Sequence, residues 1–307
     1  MKAKVNPILR KYHRTKKANF SVFTLIITII LALYCVALIV LFLYGIFASF
    51  KEPVEQFRDE PIGIPSRWYF GNYEYAFSKF TMHVTDYYTN KGYEIGMPSM
   101  FLYGFLYALG CAFTATVVPM LTGYVTAKFN FKFSKVVYYI VIIAMIVPIV
   151  GNLPSEIQMA RNLNLFDRIW GMWVLKANFL GIYFIVFYNF FKNLPNAYNE
   201  AAKIDGSNNF RTMVQIILPL AAPLFSTVML INFITFWNDY QVPLVYLPSH
   251  PTIATGMYTM SITNDNMLQY VPVKLAAAVI MLVPVLIVFL IFQRKLLGNL
   301  TMGGIKG

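Results

Sequence analysis

The chain has 307 residues, of which 58% are hydrophobic and 12% charged, with a net charge of +12 and a mean hydropathy of +0.58. Ordinary soluble domains run at about 45–50% apolar and about 25% charged. The composition therefore excludes a disordered chain, a soluble single-core enzyme and a coiled coil, and leaves an integral membrane protein.

In chain order, the first segment is basic. Residues 1–19 hold seven Lys/Arg and no acid. An uncharged apolar run follows over 20–47, too long for a signal-peptide core and read as an uncleaved transmembrane helix. Further apolar runs fall at about 100–127, 136–151, 175–191 (Lys176 at its edge), 218–237 and 275–292. Spans of ~20 residues cross a hydrocarbon core of ~30 Å. The expected fold is an all-α integral membrane protein with six transmembrane helices over 20–293, followed by a tail at 294–307. The segments at 1–19, 128–135, 192–217 and 294–307 together carry 16 basic and 2 acidic residues. The other side carries 9 basic and 11 acidic residues. The positive-inside rule then puts both termini in the cytoplasm.

The outer loop, about 48–99, is long, and its Pro53, Pro61, Pro65, Trp68, Tyr69 and Tyr73 suit an ordered interfacial segment. The stretch 154–170 places Ile157, Ala160, Leu163 and Ile169 at roughly helical spacing. It reads either as an amphipathic surface helix or as a mixed loop.

The six apolar cores contain no Asp, Glu, Lys, Arg or His. Self-powered carriers keep ionisable groups at depth for coupling, so that class is disfavoured. No phosphate-binding Gly-Lys loop, H-E-x-x-H or G-x-S-x-G is present, and the three histidines are scattered. Cys35 and Cys111 lie in apolar runs and offer neither a disulfide framework nor metal spacing. No basic stripe with interleaved aromatics points to nucleic acid. In the second span Gly104, Ala108, Ala112 and Thr116 form a small-residue stripe that lets another helix come close. In the fifth, Asn232, Thr235 and Asp239 share a helical face, with Trp237 and Asn238 beside them at the outer end. These five are candidates for a translocation pathway, the alternative being helix–helix hydrogen bonding.

The most informative segment is the polar one at about 192–217. Asn193 is placed to cap a short helix, Pro195 to sit in its first turn and Gly206 to end it. Eleven residues would make a rod of ~16 Å. Ala197, Ala201 and Ile204, with Glu200, fall along one face, and such a face suits a groove on another protein.

Glu200-Ala201-Ala202, three residues, Gly206, nine residues, Ile216, one residue and Leu218-Pro219 match the EAA signature. On these residues the chain resembles the ABC importer permeases. Asp205, the Trp237-Asn238-Asp239-Tyr240 cluster and the tail ending Gly303-Gly304-Ile305-Lys306-Gly307 are similar to the maltose/oligosaccharide branch. Within it, the chain looks like the shorter permease partner. The resemblance covers about residues 20–307; only the outer 80–99 stretch is longer than the family's usual connection.

The resemblance implies a pathway for a sugar or oligosaccharide, built with a homologous second permease in a prokaryotic cytoplasmic membrane. It also implies two ATPase subunits and an extracytoplasmic sugar-binding protein. ATP and Mg²⁺ would belong to the ATPases, this chain holding no cofactor or metal and doing no catalysis. Glu200, Ala201, Ala202, Asp205 and Gly206 would couple to an ATPase cleft, Glu200 pairing with a basic group and both alanines packing on its wall. The tail's Gly303, Gly304, Lys306 and Gly307 would reach the ATPase pair. The alternatives are a permease for a non-sugar solute, a membrane scaffold or assembly protein, and a stand-alone channel.

Overall fold

A computed structural model describes residues 22–129, 131, 133–147, 150–263 and 266–302, the side chains of 266 and 293–302 aside. The basic segment 1–19 and residues 303–307 lie outside the described residues.

The fold is almost entirely helical. Helix α1 is Val22–Ser49. Short helices α2 (Glu55–Asp59) and α3 (Gly71–Glu74) follow, α3 widening into a π turn over Tyr75–Lys79. An antiparallel hairpin pairs β1 (Thr81–Thr85) with β2 (Gly92–Gly96), Thr81 opposite Gly96 and Thr85 opposite Gly92. Then come α4 (Met97–Lys128), α5 (Ser134–Ile146), α6 (Leu153–Asn162), α7 (Ile169–Leu175) and α8 (Ile182–Asn193). Helices α9 (Ala197–Ile204) and α10 (Asn209–Thr212) lead through a π turn at Met213–Ile217 into α11 (Leu218–Trp237). The chain closes with α12 (Gln241–Tyr246), α13 (Ile253–Ile262) and α14 (Val271–Met302).

Among the described residues, four helical stretches are long and apolar enough to cross a membrane: Val22–Ser49, Met97–Lys128, Asn209–Trp237 and Val271–Phe292. The two expected short spans are helices of 13 and 12 residues, α5 and α8. At 1.5 Å per residue they reach only ~20 Å, less than the ~30 Å hydrocarbon core. They nevertheless belong to an out-and-back excursion along α4. Ser134 at the start of α5 donates to the Thr126 carbonyl at 2.6 Å. Trp173 in α7 donates to the Leu106 carbonyl at 3.0 Å. These carbonyls stand about 30 Å apart along α4.

Helix α4 is the central beam. Its small stripe Gly104, Ala108, Ala112 and Thr116 is buried, and a Cβ on Gly104 would stand 3.3 Å from the Ile253 backbone nitrogen. Trp237 is also core. It is 1% exposed, stacks on Phe233 and meets the Phe101 ring edge-on, and its indole N–H donates to the Met281 carbonyl of α14 at 3.1 Å. Helix α1 packs on α14 and exposes most of its apolar side chains, as a lipid-facing helix does.

The loop between α1 and α4 is folded. Asn72 Nδ2 donates to the carbonyls of Ser49 and Lys51 at 2.9 and 2.8 Å, and Phe50 gathers the rings of Trp68, Phe70 and Tyr73. The stretch 154–170 is neither one amphipathic helix nor a loop. Asn164 and Asp167, at φ +54 and +56°, break it between α6 and α7. Asp167 is buried and accepts from the Ser249 N–H at 2.9 Å and from the Ser249 hydroxyl, with His250 Nδ1 at 3.4 Å. The hairpin clasps the same place. Tyr87 N–H donates to Ser249 Oγ at 2.9 Å, the Tyr93 hydroxyl to the Ser249 carbonyl at 2.9 Å and the Tyr88 hydroxyl to the Phe166 carbonyl at 2.8 Å.

Candidate coupling and pathway sites

The candidate coupling helix is shorter than the sequence pattern implied. Asn193 ends α8 instead of capping the next helix, and Pro195 and Asn196 form the turn between them. Helix α9 therefore has eight residues, a rod of ~12 Å. Its end is as expected. Gly206 has φ +75°, its N–H donates to the Lys203 carbonyl at 3.0 Å, and the Ser207 N–H donates to the Ala202 carbonyl at 2.9 Å. This pair of bonds is the Schellman stop, which needs a left-handed residue at Gly206.

Along α9, Ala197, Glu200, Ala201 and Ile204 are exposed, as is Asp205 at its end. Ile204 is 86% exposed, an apolar side chain left in the open at the tip of the rod. Ala202 points the other way and is 3% exposed, packed within the chain and not presented to a partner's wall. One step of helix rotation separates it from Ala201, so the two alanines cannot share a surface. Lys128, the last residue of α4, anchors the rod. Its ammonium donates to the Leu194 carbonyl at 2.5 Å and to Asn196 Oδ1 at 2.9 Å. A polar cavity of about 220 Å³ lies beneath, lined in part by Tyr124, Lys128, Asn199, Glu200 and Lys203. The Lys128 tie had one signal in the sequence, a lysine at the end of an apolar span, where it caps helix carbonyls.

The pathway candidates separate. Asn232 is buried, and its Nδ2 donates to Thr116 Oγ1 at 3.0 Å, joining α11 to α4. Asn232 also lines a second cavity of about 170 Å³. Thr235 is exposed and returns its hydroxyl to the Ile231 carbonyl at 2.9 Å. Asn238 is exposed, with Nδ2 on the Ile234 carbonyl at 2.8 Å. Asp239 accepts from the Tyr107 hydroxyl at 2.8 Å and the Val242 N–H at 3.1 Å, fixing the C-terminal end of α11. Trp237 packs in the core, as described. Of the five, Asn232 alone lines that cavity. The tail residues Gly303, Gly304, Lys306 and Gly307 lie outside the described residues. Among the described residues no cluster of His, Cys, Asp or Glu could hold a metal ion.

The chain is thus a helical membrane protein with a short, capped and exposed rod, α9, between α8 and α10. The chain belongs to the family described as the binding-protein-dependent transport system inner membrane component, whose profile matches residues 115–299. The diacetylchitobiose uptake system permease protein NgcG of Streptomyces coelicolor is 26% identical, over 89% of this chain and 86% of that protein. The sulfoquinovosyl glycerol transport system permease protein SmoH of Agrobacterium fabrum is also 26% identical, over 85% of this chain and 87% of its own length. A crystal structure of a bacterial ABC transporter involved in the import of the acidic polysaccharide alginate contains a chain of the same fold. Its TM-score is 0.70 at 21% identity, over 89% of this chain and 96% of that one.

Proposed function

We propose that the chain is one of two permease subunits of an ABC importer carrying a sugar or oligosaccharide, paired with a homologous permease. The observation that carries this is α9. A short rod with an exposed apolar tip, an exposed carboxylate at Glu200 and a glycine stop is built to sit in another protein's cleft. Relatives named as saccharide permeases support the cargo class.

In this reading six helices cross the membrane, α5 to α8 supplying one passage out and one back. The out-and-back course along α4 supports that count. The N-terminus, α9 and the tail lie in the cytoplasm. Two ATPase subunits, holding ATP and Mg²⁺, clasp the α9 rods, and a sugar-binding protein docks on the opposite face. Closure of the ATPases moves α9, and the rigid helices carry the motion to the pathway.

The test is recovery of the tagged chain from its native membrane in mild detergent, followed by mass spectrometry and reconstitution. A second permease and an ATPase are expected to copurify. Saccharide uptake into proteoliposomes should require ATP and be lost in Glu200→Arg. Recovery of the intact chain alone, or uptake independent of ATP, would overturn the reading.

A further inference from the structure

The helical path breaks between α7 and α8. Residues 176–181 form no regular helix and lie against the middle of α4 and the outer half of α11. Non-helical backbone at this depth is tolerated where it is buried in protein or lines a water-filled cavity. The cavity of about 170 Å³ is lined in part by Lys176, Asn178, Phe179, Tyr183, Pro119 and Asn232. At ~30 Å³ per water it holds roughly six waters, the room of about one sugar ring.

Its lining is electrically one-sided. Lys176 is the one ionisable side chain there besides the Tyr183 phenol, and no carboxylate lines the cavity. No ion pair and no side-chain hydrogen bond engages Lys176 among the described residues. Asp239, the acid at the end of α11, is already held by Tyr107 and Val242. The sequence pattern put Lys176 at the edge of a span, outside the apolar cores; beside Ala115, Pro119 and Asn232 it lies instead within the bundle, where an unpaired ammonium is costly and marks a site.

Two acceptors without donors also belong to residues that line this space. Asn232 is 6% exposed and spends its Nδ2 on Thr116, while its Oδ1 has no partner among the described residues. Pro119 lacks an N–H, so the Ala115 carbonyl four residues earlier loses its helical donor, and both residues line the cavity. The Phe179 and Tyr183 rings offer apolar faces of the kind on which sugar C–H groups stack.

We propose that this cavity is a contact point for an anionic saccharide on its way through the permease. The ammonium of Lys176 pairs with the saccharide's charged group. Asn232 Oδ1 and the Ala115 carbonyl accept from its hydroxyls. The inference rests on the importer reading and deepens it, giving this chain a share in selecting the cargo by charge.

The test uses the complete importer, with its binding protein and ATPase, in proteoliposomes filled with ATP and Mg²⁺. The probes are trigalacturonate, trimannuronate and maltotriose. For at least one uronide, uptake should exceed that of maltotriose about tenfold. Lys176→Met should cut that uptake at least fivefold, and Lys176→Arg should restore most of it. Asn232→Leu should weaken uptake of the same probe severalfold. Overturning results are uptake of maltotriose alone, a Lys176→Met importer equal to wild type, or a Lys176→Arg importer as poor as Lys176→Met. Uptake of any probe without need of ATP would defeat the importer reading itself, and the inference with it; uptake of none of the three would defeat the inference. Uptake of maltotriose in an ATP-dependent manner, without any uronide, would defeat only the inference.

Discussion

Replacing Gly206 isolates the stop of α9 from everything else in the chain. No heavy atom lies within 4 Å of where a Cβ at Gly206 would stand, so a side chain there meets no clash. The whole cost is conformational. At φ +75° an ordinary L-residue is disfavoured by roughly 1–2 kcal/mol, asparagine by less and a β-branched residue by more. An eight-residue helix is marginal by itself in water, so a loss of about 1 kcal/mol lowers its population roughly fivefold. Coupled ATP hydrolysis in the reconstituted importer should fall in the order Gly, Asn, Ala, Val, with Gly206→Ala near a fifth of wild type. Insertion and assembly of the bundle should be unchanged, because α9 lies at its surface. If Gly206→Val couples like wild type, or Gly206→Asn fails as badly as Gly206→Val, the left-handed stop does not control the rod and the reasoning fails.

Lys128→Met removes both anchors of the turn before α9 and should cut coupled hydrolysis severalfold at unchanged expression, with Lys128→Arg restoring part of it; equal coupling in all three would refute the tie. Asp167→Gly suits the left-handed backbone but orphans the buried Ser249 N–H, a cost of about 1–3 kcal/mol. It should therefore lower the unfolding midpoint, whereas Asp167→Asn should keep most of it. Gly171→Ala would set a Cβ 2.1 Å from the Leu165 carbonyl oxygen, so it should destabilise the chain by about 1–3 kcal/mol in detergent unfolding, more than Gly181→Ala, whose surroundings are open. At the hairpin turn, the Thr89 N–H and hydroxyl hold Asp86 below the ordinary carboxylate range against the opposing effect of desolvation, with lesser help from the Tyr88 N–H and the nearby His250. That contribution is complete above the ordinary value of about 3.9 and is lost as pH falls through the lower folded value. A spin label on Lys91→Cys should stay immobilised down to about pH 4 and loosen below it, while Asp86→Ala should be loose at neutral pH.

The sequence is most legible where one residue type answers one physical demand. Gly206 could be read as a stop because a left-handed position explains a glycine four residues after the second alanine, and α9 ends there. The stripe from Gly104 to Thr116 could be read as a close-packed face for the same reason. The start of α9 was less legible. Asn193 is chemically a good cap, but α8 runs on through it, and Lys128 fixes the turn instead from a segment far away in sequence. The shared face of Asn232, Thr235 and Asp239 dissolved because their partners lie on other elements. Thr116 takes Asn232, Tyr107 takes Asp239, and Thr235 bonds back to its own helix. Trp237 stood beside polar residues, yet its indole binds α14 and its ring fills the core. The Asp167 clasp left no signal, since a left-handed aspartate in a polar stretch looks like any loop residue.

Two attachments make α4 the member through which the two ends of the protein can act on each other. At one end Lys128 holds the turn that launches α9, and at the other Tyr107 holds Asp239 at the far end of α11. Helix α11 returns from the outer end to the π turn and α10, and so back to Gly206, closing a loop of helices around the Asn232–Thr116 bond. Packed helices resist bending and move as bodies, so on the proposed importer reading a push on α9 would arrive at that bond as a shift of α11 against α4. The cavity with Lys176 sits at this seam, between the two helices that such a shift would move apart. On that reading a site placed there would change its dimensions whenever the rod is driven, which is the geometric requirement for tying release of a bound solute to events at the opposite end of the bundle. The coupling motif and the proposed charge contact thus meet in one pair of helices, although more than twenty residues separate Gly206 from Asn232 along the chain.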